Sequence, residues 1–160
     1  MRRQLAVPTG VAALAVALAL GLWLWGRPRA DIAMPQATTS PADLVRTYVQ
    51  ALNSRDFSAC RQMGVDNETG IGATWATVHA PNVTALSIDH VTRVIPGLRG
   101  ATAQSDPRLR GWEQTVEVDT TATMHNFDGF HGVEAGQPWS YELVRHDGSE
   151  PWRILDQGQG

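Results

Sequence analysis

The sequence contains no lysine: its thirteen basic residues are all arginine, set against sixteen Asp and Glu. With the abundance of alanine and glycine, that choice points to a GC-rich bacterial genome. Arg2, Arg3, Arg27 and Arg29 fall in the first thirty residues, where there is no acid, so the rest of the chain carries about −7. A domain of that sign is not built to neutralise phosphates, which excludes nucleic acid as a partner. Cysteine is almost missing too. A lone Cys60 can form no internal disulfide, so it favours no redox compartment and reads as a small apolar filler. Neither a Gly-rich phosphate loop, a nucleophile elbow nor an internal repeat is present.

A metal-ligand set is equally hard to find. His125 and His131 lie six apart around Asp128, but Gly129, Phe130 and Gly132 interleave with them and no ligand spacing emerges. No metal or cofactor is therefore expected. Asn67-Glu-Thr69 and Asn82-Val-Thr84 match glycosylation acceptors, a pattern without meaning in a bacterial protein.

Charge is absent from Leu5 to Trp25, a stretch dominated by Leu, Ala and Val. Twenty-one residues at about 1.5 Å rise would reach roughly 31 Å, the thickness of a bilayer core, so a transmembrane anchor is predicted over residues 1–26. Trp23 and Trp25 would sit as interfacial aromatics, and Arg27 and Arg29 as headgroup anchors. The competing reading, a cleaved signal peptide, needs a shorter apolar region ending in small residues, and Gly21-Leu-Trp-Leu-Trp25 offers no such site. Arg2, Arg3 and the α-amino group outnumber Arg27 and Arg29 by one charge. The bias favours a single-pass protein of the cell membrane with its C-terminal domain extracytoplasmic.

Residues 27–39 read as a polar linker, and residues 40–160 as one domain. Ser40 is a candidate N-cap, Pro41 suits the first helical position, and Asp43 meets free backbone donors three residues after the cap. Leu44, Val45, Tyr48, Val49 and Leu52 then form an apolar stripe at helical spacing. The run 53–56 breaks the helix, Asp56 can cap a second one, and Gly64 stops it. Residues 65–80 read as loop. Residues 83–95 predict a strand with Leu86, Ile88, His90, Thr92 and Val94 on the core side, followed by an arginine-bearing loop to Gly111. From Trp112 to His125 the alternation is unbroken, with Trp112, Gln114, Val116, Val118, Thr120, Ala122 and Met124 on one face. Fourteen residues at roughly 3.3 Å would span about 46 Å, so the sheet must bend around something. Residues 126–138 read as loop, and 139–146 with 151–156 as a closing hairpin through Asp147-Gly148.

Helices with the run Tyr48-Val-Gln-Ala-Leu-Asn-Ser-Arg-Asp56, followed by a meander ending in Trp-Arg-Ile-Leu-Asp at 152–156, resemble the nuclear transport factor two-like superfamily, a cystatin-like cone. The resemblance covers residues 40–160. It implies an α+β fold in which a curved antiparallel sheet wraps around the N-terminal helices. With an N-terminal span in front, the layout is similar to membrane-tethered members, such as scaffold subunits of bacterial conjugation and secretion machines or the mammalian-cell-entry-associated membrane proteins of actinobacteria. That implies a protein-interaction or scaffold role in the cell envelope, with an envelope protein or a second copy of the chain as partner.

Enzymatic relatives, the ketosteroid isomerases and polyketide cyclases, imply instead an acid or base inside the cone with a donor to an oxyanion. The predicted inner face of the long strand carries no ionisable group. The candidates left for an isomerase- or cyclase-like site are His90, Tyr141 and Asp156, each read as pointing inward from a different strand. Against them stand the ordinary roles of a core histidine, a buried tyrosine with one hydrogen bond and a turn acid, so binding is favoured over catalysis.

Overall fold

In the computed structural model the residues described are 9–25, 27–65, 82–96, 111–125 and 132–159. They form helices α1 (Thr9–Trp25), α2 (Pro41–Asn53) and α3 (Phe57–Met63) and strands β1 (Asn82–Val91), β2 (Ile95–Pro96), β3 (Gln114–His125), β4 (Val133–Arg145) and β5 (Arg153–Gly158). The class is α+β, as the sequence predicts.

The expected transmembrane, single-pass anchor is corrected. The described helix α1 has 17 residues, about 26 Å at 1.5 Å per residue. Among the described residues no helix is long and apolar enough to cross a membrane. The longer reading ran through Pro8, whose missing N–H and ring oppose helix on its N-terminal side, and Leu5 to Pro8 lie outside the described residues. What α1 does present is an apolar surface on every side: Val11, Leu14, Val16, Leu18, Leu20, Leu22, Trp23 and Leu24 are all exposed.

α2 forms as its caps dictate. Ser40 Oγ accepts from the Asp43 N–H at 3.1 Å and donates to the Asp43 carboxylate at 2.7 Å, while Arg46 donates to the same carboxylate at 2.8 Å. The buried face is Leu44, Val45, Tyr48, Val49, Ala51 and Leu52. Arg55 then takes a positive φ of 59°, the left-handed turn that ends one helix and allows Asp56 to cap the next. Asp56 accepts from Ala59 N–H at 3.0 Å. Its second oxygen accepts from Ile32 N–H at 3.4 Å. Part of the segment read as a linker is therefore seated on the domain: Arg29 N–H donates to Ser54 O at 2.7 Å, and Ile32 packs on the core.

The sheet is antiparallel, in the order β1-β3-β4-β5, with β2 pairing β3 beyond the end of β1. β3 is the central strand. Val116, Val118, Thr120 and Ala122 are buried, so its inner face is the one the alternation predicts. α2 lies against that face, and Asn53 fastens the helix end to β1 by donating to Val83 O at 2.7 Å and accepting from Val83 N–H at 2.8 Å. Trp112, expected to start the strand, stands outside it with its ring 4.2 Å from that of His146.

Three strands depart from regular pairing, and each departure has a local cause. In β1 the register slips between Thr84 and Ser87, around Ala85 with φ 50°, and again between Ile88 and His90. β4 starts at Val133, inside the run read as a loop, and Gly136 at φ 67° absorbs the slip opposite Ala122 and Met124. Pro138 is tolerated there because β5 reaches only as far as Ser140, which leaves that stretch of β4 at an edge. In β5 the slip falls between Ile154 and Asp156. Bulges of this kind bend a strand and strengthen its twist.

The core gathers Leu44, Val45, Tyr48 and Leu52 of α2, Cys60 and Met63 of α3, and Val116, Val118, Tyr141, Leu143, Trp152 and Ile154 from the sheet side. A smaller cluster on the outer face joins Val144 and Leu155, with Val65 and Trp112 against them. Trp152 is 4 % exposed, and the Arg145 guanidinium stacks 4.2 Å over its ring. Trp152→Ala is expected to cost about 3–5 kcal/mol in urea unfolding. Beside the outer cluster, Thr115 is buried and its hydroxyl has no hydrogen-bond partner among the described residues. Thr115→Val should raise the urea midpoint by the equivalent of about 1 kcal/mol, and a fall would show that the hydroxyl is satisfied.

Candidate functional site

His90, Tyr141 and Asp156 do not share a face. The slip between Ile88 and His90 sets Ile88 opposite inward-facing Thr120 but His90 opposite Asp119, so His90 lies exposed on the outer face. The extra residue in β5 does the same to Asp156. Ile154 pairs with buried Leu143, whereas Asp156 pairs with Glu142 and is exposed. Gln157 takes the inward position instead, opposite Tyr141, and donates through Nε2 to Tyr48 Oη at 2.9 Å.

Tyr141 alone points inward. Its ring meets Tyr48 edge to face, with centroids 6.0 Å apart and planes at 71°. Burial, and then the neighbouring Tyr48 and Cys60, push its phenol well above the ordinary tyrosine value. It stays neutral and packs. The space beneath the sheet, where an enzyme of this shape would hold its substrate, is filled by Tyr48, Leu44, Met63, Leu143 and Ile154, each almost completely buried.

Cys60 shares this interior, with its Sγ 3.9 Å from Tyr48 O. Burial, followed by the charge of Asp56, raises the thiol from 9.0 to about 12. It is a protonated, unreactive group at neutral pH. The sign of the linkage follows: the folded thiol keeps its proton where the unfolded one has lost it, so its contribution to stability disappears as pH rises from about 9 towards 12.

Two concave regions stand out among the described residues. On the outer face, Glu117, Glu142 and Asp156 bring carboxylates from three neighbouring strands to a shallow site of about 210 Å³. Close by, Ser140 Oγ donates to Asp119 Oδ1 at 2.7 Å. Among the described residues no group of three or more His, Cys, Asp or Glu is placed to hold a metal ion. His125 bonds Thr84 Oγ1 at 2.9 Å, while His131 lies outside the described residues.

The second is a cleft of about 570 Å³ at the end of the domain, where the seated segment before α2, the C-terminal end of α3 and the start of β5 converge. Met34, Leu44, Met63 and Trp152 give it an apolar wall, and Arg61 and Arg153 flank it. None of these residues was a sequence candidate. They come from segments more than a hundred positions apart, brought together by Val65 N–H donating to Ile154 O at 2.9 Å, which lays the chain after α3 alongside β5. The arginine-bearing loop after β2 lies outside the described residues over 97–110, as does the loop stretch 126–131.

No protein-family model matches the chain, and no curated protein matches it. The geometry therefore carries the functional reading by itself. A first check concerns the interior. Cys60 should resist a maleimide at pH 7 in the native protein and react fully in denaturant; native labelling at the unfolded rate would mean that the interior opens.

Proposed function

We propose that the chain is a protein-interaction or scaffold module of the bacterial cell envelope, built on a nuclear transport factor two-like domain. The observation that carries this reading is the filled interior. An isomerase- or cyclase-like enzyme needs an apolar chamber with an acid or base turned into it. Here the space under β3 is occupied by core side chains, and two of the three ionisable candidates face the opposite way. The larger of the two concave regions described, the cleft between the segment before α2, α3 and β5, opens to solvent at one end of the domain. The order of two helices followed by an antiparallel meander, closed by the strand after Trp152, supports the family reading.

Attachment to a membrane is the second part of the proposal. A helix apolar on every side has to bury that surface in something, and the eight large apolar residues exposed on α1 find no cover among the described residues. Arg27 lies 4.6 Å from the Trp23 ring centroid, the pairing of cation and interfacial aromatic suited to a headgroup layer. The arginine asymmetry read from the sequence acts on helices that cross. With α1 corrected, the proposal is of attachment alone, without a side.

Two measurements test this. The full chain is expected to sediment with membranes, to stay there in high salt and alkaline carbonate, and to be released by detergent; release by salt alone would remove the attachment. For the partner, the absence of lysine leaves amine-reactive reagents little to attack, so a photo-activated residue is placed at exposed Gln62 or, on the other face, at exposed Asp89. A discrete protein adduct from at least one position in native membranes is the expected result. No adduct from either would overturn the interaction reading.

A further inference from the structure

We propose that the cleft between the segment before α2, α3 and β5 is the partner-binding surface of the domain, and that it takes an acidic segment of the partner protein anchored by a large apolar side chain. This rests on the reading of the domain as an interaction module and names the chemistry of that interaction.

Three observations converge on it. The first is shape. At about 570 Å³ the cleft has room for one or two large side chains. It lies open along the domain end and does not enclose its contents, whereas a small-molecule site normally buries most of its ligand. A segment reaching in from outside, with the rest of its chain in solvent, fits that geometry. The second is the wall. Trp152 and Leu44 are rigidly packed at the base, while Met34 at the rim is 39 % exposed, an apolar side chain with no cover and with the adaptability of a thioether. Aromatic floors with an adaptable rim are where interface energy concentrates.

The third observation is charge. Beyond residue 30 the chain holds nine arginines against sixteen carboxylates, yet among the described residues both charged side chains on this cleft are arginine. Arg46 is engaged by Asp43, and Arg145 by Gln114 and the Trp152 ring. Arg61 and Arg153 make no ion pair among the described residues. Two guanidinium groups without an ion pair among the described residues, beside an apolar floor on a protein that is otherwise acidic, select carboxylates close to an apolar anchor. Elsewhere the same acidic surface repels such a segment, which confines docking to this place.

The test uses the full chain in nanodiscs of neutral phosphatidylcholine and a peptide labelled at its N-terminal amine, fluorescein-Gly-Asp-Glu-Leu-Trp-Glu-Leu-amide, read by anisotropy. A twin with arginine in place of each acid is the comparison. The acidic peptide should bind and the basic twin should not. Arg61→Glu with Arg153→Glu should weaken the acidic peptide by about tenfold or more, and Met34→Ser by several-fold. Arg93→Glu, an exposed change away from the cleft, should leave binding unaltered. Should the double variant fail to melt as the native protein does, Arg153→Glu alone, at an exposed side chain, must still weaken binding at least about threefold. Equal binding of the two peptides, or indifference to charge reversal, overturns the proposal. So does displacement of the peptide by naphthalene-2-carboxylate at one molecule per chain, which would make the cleft a small-molecule site. In native membranes, an adduct from Asp89 that survives the double reversal would sink this surface and leave the broader interaction reading standing. Absence of adducts from the native chain would remove that reading itself.

Discussion

The structure depends on one requirement, that the inner face of β3 be covered. Val116, Val118, Thr120 and Ala122 follow one another along a strand of twelve residues, and such a strand in the middle of a sheet cannot leave that row in water. α2 supplies the cover with a buried stripe of its own, and Tyr48 stands at the centre of the contact. Its ring meets Tyr141 from β4, its hydroxyl receives Gln157 from β5, and its carbonyl lies beside the Cys60 thiol of α3. Four elements are thus held at one residue. Asn53 closes the arrangement at the far end, where its side-chain amide pairs with both backbone groups of Val83 as a neighbouring strand would.

That much was legible in the sequence, because it rests on local chemistry. A Ser-Pro-x-Asp start, a stripe spaced at three and four, and a long alternation are each decided by neighbours within a few positions. The bulges are not. The second of two extra residues in β1, at the slip between Ile88 and His90, and the one in β5 reverse the side chains that follow them, and neither His90 nor Asp156 differs from its neighbours in any way that announces the reversal. Strict alternation carried both to the core side. Their outward placement follows from pairing with β3 and β4, a long-range fact. Tyr141 kept its predicted side because β4 is regular between Gln137 and Glu142.

The N-terminal helix was misread for a different reason. Hydropathy and length were counted over twenty-one residues without weighing Pro8, so a segment of the right composition was assigned the reach of a complete span. Composition, however, does bear on what the helix requires: with no polar side, α1 has no face to turn to water, whatever its length. Its position relative to the domain matters as well. Arg29 is bonded to the turn after α2, and Ile32 is bonded to Asp56 and packed on the core, so few free residues separate the apolar helix from the folded unit. Whatever covers α1 is brought close to that end of the domain.

The same seating of the chain before α2 builds the cleft. Met34 forms a wall of it only because Ile32, two positions earlier, is held on the core, and Trp152 forms its floor only because Val65 is hydrogen-bonded to Ile154 and draws the end of α3 against β5. A polar linker was the natural reading of residues 27–39, since Pro35 and a scatter of small residues give no periodic signal. In the folded chain this stretch is the part that converts a sheet covered by two helices into a surface with a shaped, cationic recess. The cleft wall at Met34 and the end of α1 at Trp25 belong to one continuous segment of about ten residues, roughly 35 Å of chain if fully extended. Because Arg29 is bonded to Ser54 and Ile32 to Asp56, a displacement of this segment is taken up first at the turn between α2 and α3 and only then by the sheet.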